Sequence, residues 1–211
     1  MPRPLFAHLF WDFDGTLYDS YGAMTRAMQS ALRDAGYSAP YAEVYTLLKQ
    51  SVYHASLTLA ERFSLPVEVL QAGFRCYHNQ IHTYPLFEGV QDCLAALHRQ
   101  GCRHYLYTHR DCGAIHQLAR DGLAPLFSAY VTRDDSFPDK PAPDALNALM
   151  AQYRIAPSQA AIIGDRDLDA GHNAQIAGIL FDPQNFFPHL AAEYRVNSFA
   201  EITMLISNGV P

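Results

Sequence analysis

The sequence predicts an α/β fold: a parallel sheet covered by helices on both faces, with a separate all-helical segment inserted after the first strand. Three observations predict it. Short apolar runs alternate, through the second half of the chain, with segments whose apolar residues recur every three or four positions. Residues 19–84 keep the helical spacing throughout and nowhere alternate like a strand for long. Acidic, hydroxyl or basic residues stand at the ends of the apolar runs or in the loops beyond them, where open parallel sheets bind ligands.

The first strand is expected over Leu5–Trp11, an apolar run that stops at Asp12 and turns at Gly15. A helix face follows at Met24, Ala27, Met28, Ala31 and Leu32, ended by Gly36 and Pro40. Three more helical pieces are read from Val44, Leu47 and Leu48, from Leu57, Leu59 and Ala60, and from Val67, Leu70 and Phe74. Past Pro85, a helix carried by Val90, Leu94 and Leu97 stops at Gly101 and leads into a strand at Tyr105–Tyr107. A helix at Ala114–Ala119, a strand at Phe127–Val131 and a helix after Pro143 come next. The last elements are a strand at Ala160–Ile163 stopped by Gly164, a helix through Ala170 and Ala174, a strand at Gly178–Phe181, and at most a short helix after Phe199. The expected division is a core of residues 1–18 and 85–211 and a cap of residues 19–84.

With 211 residues, 49% hydrophobic and 17% charged, the chain can bury one domain core plus a smaller insert. Its net charge of -6, from 15 Lys+Arg against 21 Asp+Glu, argues against a nucleic-acid partner, which selects a basic surface. Cys76, Cys93, Cys102 and Cys112 form no Cys-x-x-Cys pair and no zinc spacing, so free thiols in a reducing compartment are expected. No basic patch with a long apolar run opens the chain, and no run reaches the ~18 apolar residues of a membrane span. A cytoplasmic protein without a membrane partner is the expectation.

Chemistry gathers at four places. Asp12 and Asp14 stand one residue apart at a strand end. One carboxylate can attack phosphorus and bind a metal, while the other passes a proton to the leaving oxygen. Attack on a phosphate dianion needs a divalent cation to offset repulsion. The bland alternative is an acidic Asp-Gly turn, with Thr16 capping the next helix. Thr108 ends the Tyr105–Tyr107 run and can hold a phosphoryl oxygen, or cap the helix near Asp111. Lys140 lies in the proline-stiffened Asp139–Asp144 segment, where it can neutralise a carboxylate and a phosphate or simply be solvated. Asp165 follows Gly164, and its oxygens suit magnesium; Asp169 is placed one turn along a helix, as support or as a dipole partner.

Together these segments resemble the haloacid dehalogenase-like hydrolase superfamily, in order and over nearly the whole chain. Asp12-Phe13-Asp14-Gly15-Thr16-Leu17 looks like its first motif, Thr108 its second, Lys140 its third, and Gly164-Asp165 with Asp169 its fourth. The resemblance implies a Rossmann-like core and Mg²⁺ held by Asp12, the Asp14 backbone carbonyl and Asp165. It also implies an aspartyl-phosphate on Asp12, Asp14 as general acid and base, and Thr108 and Lys140 on the phosphoryl group. The insert is similar to the cap of the phosphoglycolate phosphatase and β-phosphoglucomutase subfamily. The implied substrate is a small phosphate ester. Asp14 favours phosphate chemistry over dehalogenation, because the superfamily's dehalogenases lack it.

His109-Arg110 departs from the Asn usual after the second-motif Thr, and Arg166-Asp167 follows Asp165. Arg110 is a candidate for a bidentate grip on substrate, or a surface bridge to Asp111, Asp134 or Asp135. His109, Lys49 and Ser51 are the other substrate-contact candidates, the last two lying between cap helices. His78 and His82 are expected on one face of a cap helix. The alternatives are a sugar-phosphate mutase of the same subfamily, and a phospho-accepting module such as a receiver domain, which has no cap after its aspartate.

Overall fold

The computed structural model describes residues 4–166 and 168–208; Asp167 lies outside them. The chain divides into two compact units, Met1–Tyr18 with Leu86–Pro211, and Asp19–Pro85.

The first unit is built on a six-stranded parallel sheet. Its strands are β1 (His8–Trp11), β2 (Arg103–Tyr107), β3 (Phe127–Val131), β4 (Ala160–Gly164), β5 (Ala177–Phe181) and β6 (Tyr194–Val196), in the order β3-β2-β1-β4-β5-β6. β1 is therefore central, with Trp11 in register with Leu106 on one side and Ile163 on the other. Alternate residues of a strand face opposite sides of the sheet. Phe10 packs with Tyr105 and Ile162 against Leu146 and Leu149 of helix α7 (Asp144–Tyr153) and Ala170 of helix α8 (Asp169–Asn173). Trp11, on the other face, stacks on Phe199 of helix α9 (Phe199–Asn208) at 6.1 Å. Burying each such side chain contributes about 1.5–3 kcal/mol. α8 comes close to the sheet because it crosses with glycine: a Cβ on Gly171 would stand 2.3 Å from Ile162 Cγ2.

Helices α5 (Val90–Arg99) and α6 (Gly113–Arg120) flank β2 in sequence. His104 of β2 fixes α5 to the sheet. Its Nδ1 accepts from Trp11 Nε1 at 2.9 Å, which leaves Nε2–H to donate to the Leu94 carbonyl at 3.1 Å. Burial, with a smaller contribution from His98, lowers this imidazole to about 4, against the bond to Leu94. An unfolded His104 titrates near its ordinary 6.5. Its stabilising contribution is therefore whole above about pH 6.5 and is lost as pH falls through 4, a change of about 3 kcal/mol. Urea unfolding followed by Trp11 fluorescence at pH 7 and pH 4 is expected to show that much more acid destabilisation in the wild type than in His104→Gln. Equal pH slopes would contradict it.

The second unit holds helices α1 (Tyr21–Asp34), α2 (Tyr41–Gln50), α3 (Val52–Arg62) and α4 (Val67–His78). Their apolar faces form one cluster that includes Met28, Leu32, Val44, Leu48, Leu59 and Phe74. Gly73 lets α4 approach α1, since a Cβ there would lie 3.0 Å from Ala31 Cβ. All four helical pieces expected from the spacing are present.

Several boundaries differ from expectation. β1 begins at His8, because the Leu5 and Ala7 amides bond to Ile206 and Gln159 carbonyls outside the ladder. α8 ends at Asn173, with Ala174 as its cap. α9 runs a full ten residues, and β6 was not anticipated. α4 ends at His78, so His82 lies beyond the helix and the two do not share a helical face; His78 instead meets the Tyr84 hydroxyl at 3.1 Å.

Candidate active site

β1 delivers Asp12 into the middle of the sheet's carboxyl end. Its amide continues the ladder by donating to the Ile163 carbonyl at 2.9 Å. The chain then turns tightly: the Gly15 amide donates to the Tyr18 carbonyl and the Tyr18 amide to the Phe13 carbonyl. Gly15 has φ +71, a region that disfavours side chains. Phe13 and Tyr18 stack at 4.2 Å and are buried, so the turn is anchored on both sides of Asp14 in the chain. Helix α1 starts only at Tyr21, with Ser20 in the cap position, so Thr16 caps nothing; its buried Oγ1 makes no hydrogen bond among the described residues.

Lys140 reaches Asp12. Its Nζ is 3.1 Å from Asp12 Oδ1 and 4.5 Å from the Tyr107 ring centroid, with the lysine side chain 4% exposed and the aspartate 12%. It is no solvated loop lysine. Two charges so buried are costly unless paired, which makes the pair a commitment of the fold to this position. Pro143 stands at the N-cap of α7 and helps to fix the segment that carries Lys140.

Thr108 extends β2, its amide donating to the Val131 carbonyl at 3.0 Å. Its buried hydroxyl accepts from the Arg110 amide at 3.1 Å, which leaves its own O–H to donate elsewhere. It does not cap a helix, since α6 begins at Gly113. Asp165 is 1% exposed at the end of β4, the strand beside β1. The two strand ends lie close: a Cβ on Gly164 would be 3.7 Å from Asp12 Cβ.

Arg110 has a partner that neither expectation names. Its guanidinium grips Asp14 bidentately, Nε to Oδ2 at 2.8 Å and a terminal nitrogen to Oδ1 at 2.7 Å. A pairing across 96 positions leaves no trace in local spacing.

The sequence profile of the haloacid dehalogenase-like hydrolases matches residues 9–181, a span that includes Asp12, Thr108, Lys140 and Asp165. The chain belongs to that family. It is similar to a phosphoglycolate phosphatase of Aliivibrio fischeri, 31% identical over 180 residues that cover 80% of this chain and 79% of the relative. A hydrolase from Streptococcus pneumoniae is 31% identical, with a TM-score of 0.63 over 84% of this chain and 93% of its own. A HAD-superfamily hydrolase from Geobacter sulfurreducens shares the fold, with a TM-score of 0.73 over 96% and 97% of the two chains at 22% identity. The sequence relatives place this HAD-like enzyme among the family's phosphatases.

Of the remaining candidates, His109, Lys49 and Ser51 have partners of their own. Asp169 is the first residue of α8 rather than one turn into it, and is exposed. His109 Nδ1 lies 3.5 Å from Asp139 Oδ1, with both side chains well exposed. Lys49 is in the last turn of α2, not between helices, and lies buried with its ammonium 4.4 Å from the Tyr21 ring centroid. Ser51 caps α3, its hydroxyl accepting from the His54 amide at 2.8 Å. Among the described residues no group of three or more His, Cys, Asp and Glu side chains forms a metal cluster, and no helix is long and apolar enough to cross a membrane. The expected Mg²⁺ set has only two carboxylates, Asp12 and Asp165, with a backbone carbonyl as the third donor.

Proposed function

We propose that this HAD-like phosphatase is a Mg²⁺-dependent phosphomonoester hydrolase that works through an aspartyl-phosphate on Asp12 and acts on a small phosphorylated metabolite. The observation that carries the reading is the buried Asp12–Lys140 pair at the carboxyl end of the central strand, with Asp14, Thr108 and Asp165 on the same rim.

An Asp12 carboxylate oxygen attacks phosphorus, and the bond to the leaving alcohol breaks as Asp14 gives that oxygen a proton. Asp14 then takes a proton from the water that attacks the acyl phosphate, which frees Asp12 and inorganic phosphate. The Lys140 ammonium and the Thr108 hydroxyl hold phosphoryl oxygens, the first by charge and the second by its unused O–H.

The residues fit magnesium. Lys140 pairs with Asp12 and Arg110 with Asp14, the buried Asp165 adds a carboxylate at the neighbouring strand end, and the oxygen donors of Asp12, Asp165 and the Asp14 carbonyl suit a hard ion that keeps several waters. Bound there, Mg²⁺ would offset the repulsion between carboxylate and phosphate.

The test is phosphate release across a panel of phosphorylated metabolites with Mg²⁺. Phosphoglycolate comes first, because that is the ester named for the A. fischeri relative. At least one small ester is expected to turn over many times, to lose its rate to background with EDTA, and to regain it with excess Mg²⁺. Turnover that survives EDTA, or a single phosphorylation without release, overturns the proposal.

A further inference from the structure

Each of the two aspartates at the turn has its own cation, and the cations differ in kind. Lys140 is a point charge on Asp12; Arg110 is a planar fork on Asp14. The exposed Arg62–Glu43 pair is the ordinary surface case, with side chains 47% and 36% exposed. Arg110 and Asp14 are 15% and 23% exposed, so less solvent competes for their bonds.

Arg110 is also fixed from behind. Its amide donates to the Thr108 hydroxyl at 3.1 Å, and its carbonyl accepts from the Arg133 amide at 2.7 Å. Its guanidinium lies 5.0 Å from the centroid of the Phe13 ring, which is stacked on Tyr18. A fork held this way fixes both the rotamer and the plane of the carboxylate it grips. A carboxylate offers about four lone-pair sites. The fork takes one on each oxygen, so its grip does not by itself use up the carboxylate.

Resting on the proposed phosphatase chemistry, we infer that Arg110 is a positioning residue for Asp14, setting the carboxylate in the orientation from which it exchanges protons with leaving group and water. It acts through Asp14 and not by gripping the substrate. The same residue orients the Thr108 hydroxyl, so one side chain and its amide align two of the groups around the transferred phosphoryl.

The experiment is a double-variant cycle on the Mg²⁺-supplied full chain with 4-nitrophenyl phosphate, comparing wild type, Arg110→Gln, Asp14→Asn and the pair. Arg110→Gln is expected to lower kcat about ten- to a hundredfold, the cost of a misplaced catalytic group. KM should stay within about twofold. In the Asp14→Asn background, losing Arg110 should cost no more than about a further twofold, because the group it positions is gone. Arg110→Lys restores charge but not the fork, and should stay within about threefold of Arg110→Gln. Full additivity in the cycle, a raised KM with unchanged kcat, or recovery to the wild-type rate by lysine would each overturn the inference. Asp12→Asn in the same series keeps the two readings apart. Its full activity would sink the nucleophile and the mechanism beneath, whereas additivity with Asp12 intact sinks only the role of Arg110.

Discussion

Replacing Asp12 by asparagine is expected to lower kcat by at least about 10⁴-fold and to leave the fold intact. The amide nitrogen is not a nucleophile, and its oxygen carries no charge with which to attack phosphorus. The fold should survive because asparagine has almost the same shape and its oxygen can still accept from Lys140, whose Nζ stands 3.1 Å away. The Coulombic attraction is lost, but the hydrogen bond to the lysine is kept. Stopped assays of phosphate release, with the near-UV circular dichroism of the variant beside the wild type, read both halves. A variant with native circular dichroism and full turnover, purified free of wild-type enzyme, would remove Asp12 from the mechanism. Lysine is the informative partner here, because only Lys49 and Lys140 occur in the chain, and one of them is spent on this aspartate.

Most positions of the candidate site are legible because they are tied to a strand end. Asp12, Thr108 and Asp165 follow apolar runs, and a strand that stops at a polar residue places that residue on the rim of the sheet. Lys140 is different: its chemistry offers a carboxylate as partner or plain solvation, and only the folded sheet, which closes a stretch of chain spanning β2, β3 and several helices, decides for Asp12. The sequence offers Arg110 to a substrate or to a surface carboxylate. The structure gives it Asp14, a partner that spacing rules cannot reach because they extend only one helical turn or one strand pair. A helix following Asp165 at once would set Asp169 one turn along it. The helix starts four residues later, at Asp169 itself.

In the fold, long periodic segments were the easy part. The helices of residues 19–84 bury faces spaced three and four residues apart, and burial is what the spacing reports. β6 escaped because it is three residues long, with Arg195 exposed between Tyr194 and Val196, and shares no continuous apolar run. Such a strand is held by its neighbour and by side-chain bonds from elsewhere, not by its own composition.

That dependence makes Asp182→Ala costly in stability, by about 3–5 kcal/mol. Asp182 follows β5, and its amide donates to the Val196 carbonyl of β6 at 3.0 Å. Its carboxylate, in a residue only 2% exposed, accepts from the Phe186 and Phe187 amides at 2.7 and 2.8 Å and from Arg195 at 3.1 Å. Arg195 in turn donates to the carbonyls of Phe187 and Leu190. One carboxylate thus fastens the irregular stretch between β5 and β6 to both strands. Removing it leaves an arginine without its countercharge and two inward amides without an acceptor, each a loss on its own. Urea unfolding followed by the fluorescence of Trp11, the single tryptophan and part of the same sheet, should lose that free energy. Arg133→Ala, which breaks the exposed pair with Asp111, should cost less than about 1 kcal/mol by the same probe. If the two variants unfold alike, the clasp is ornamental and β6 is held by its backbone ladder alone. If they differ as expected, the edge of the sheet owes its last strand to a charge that no apolar pattern announces.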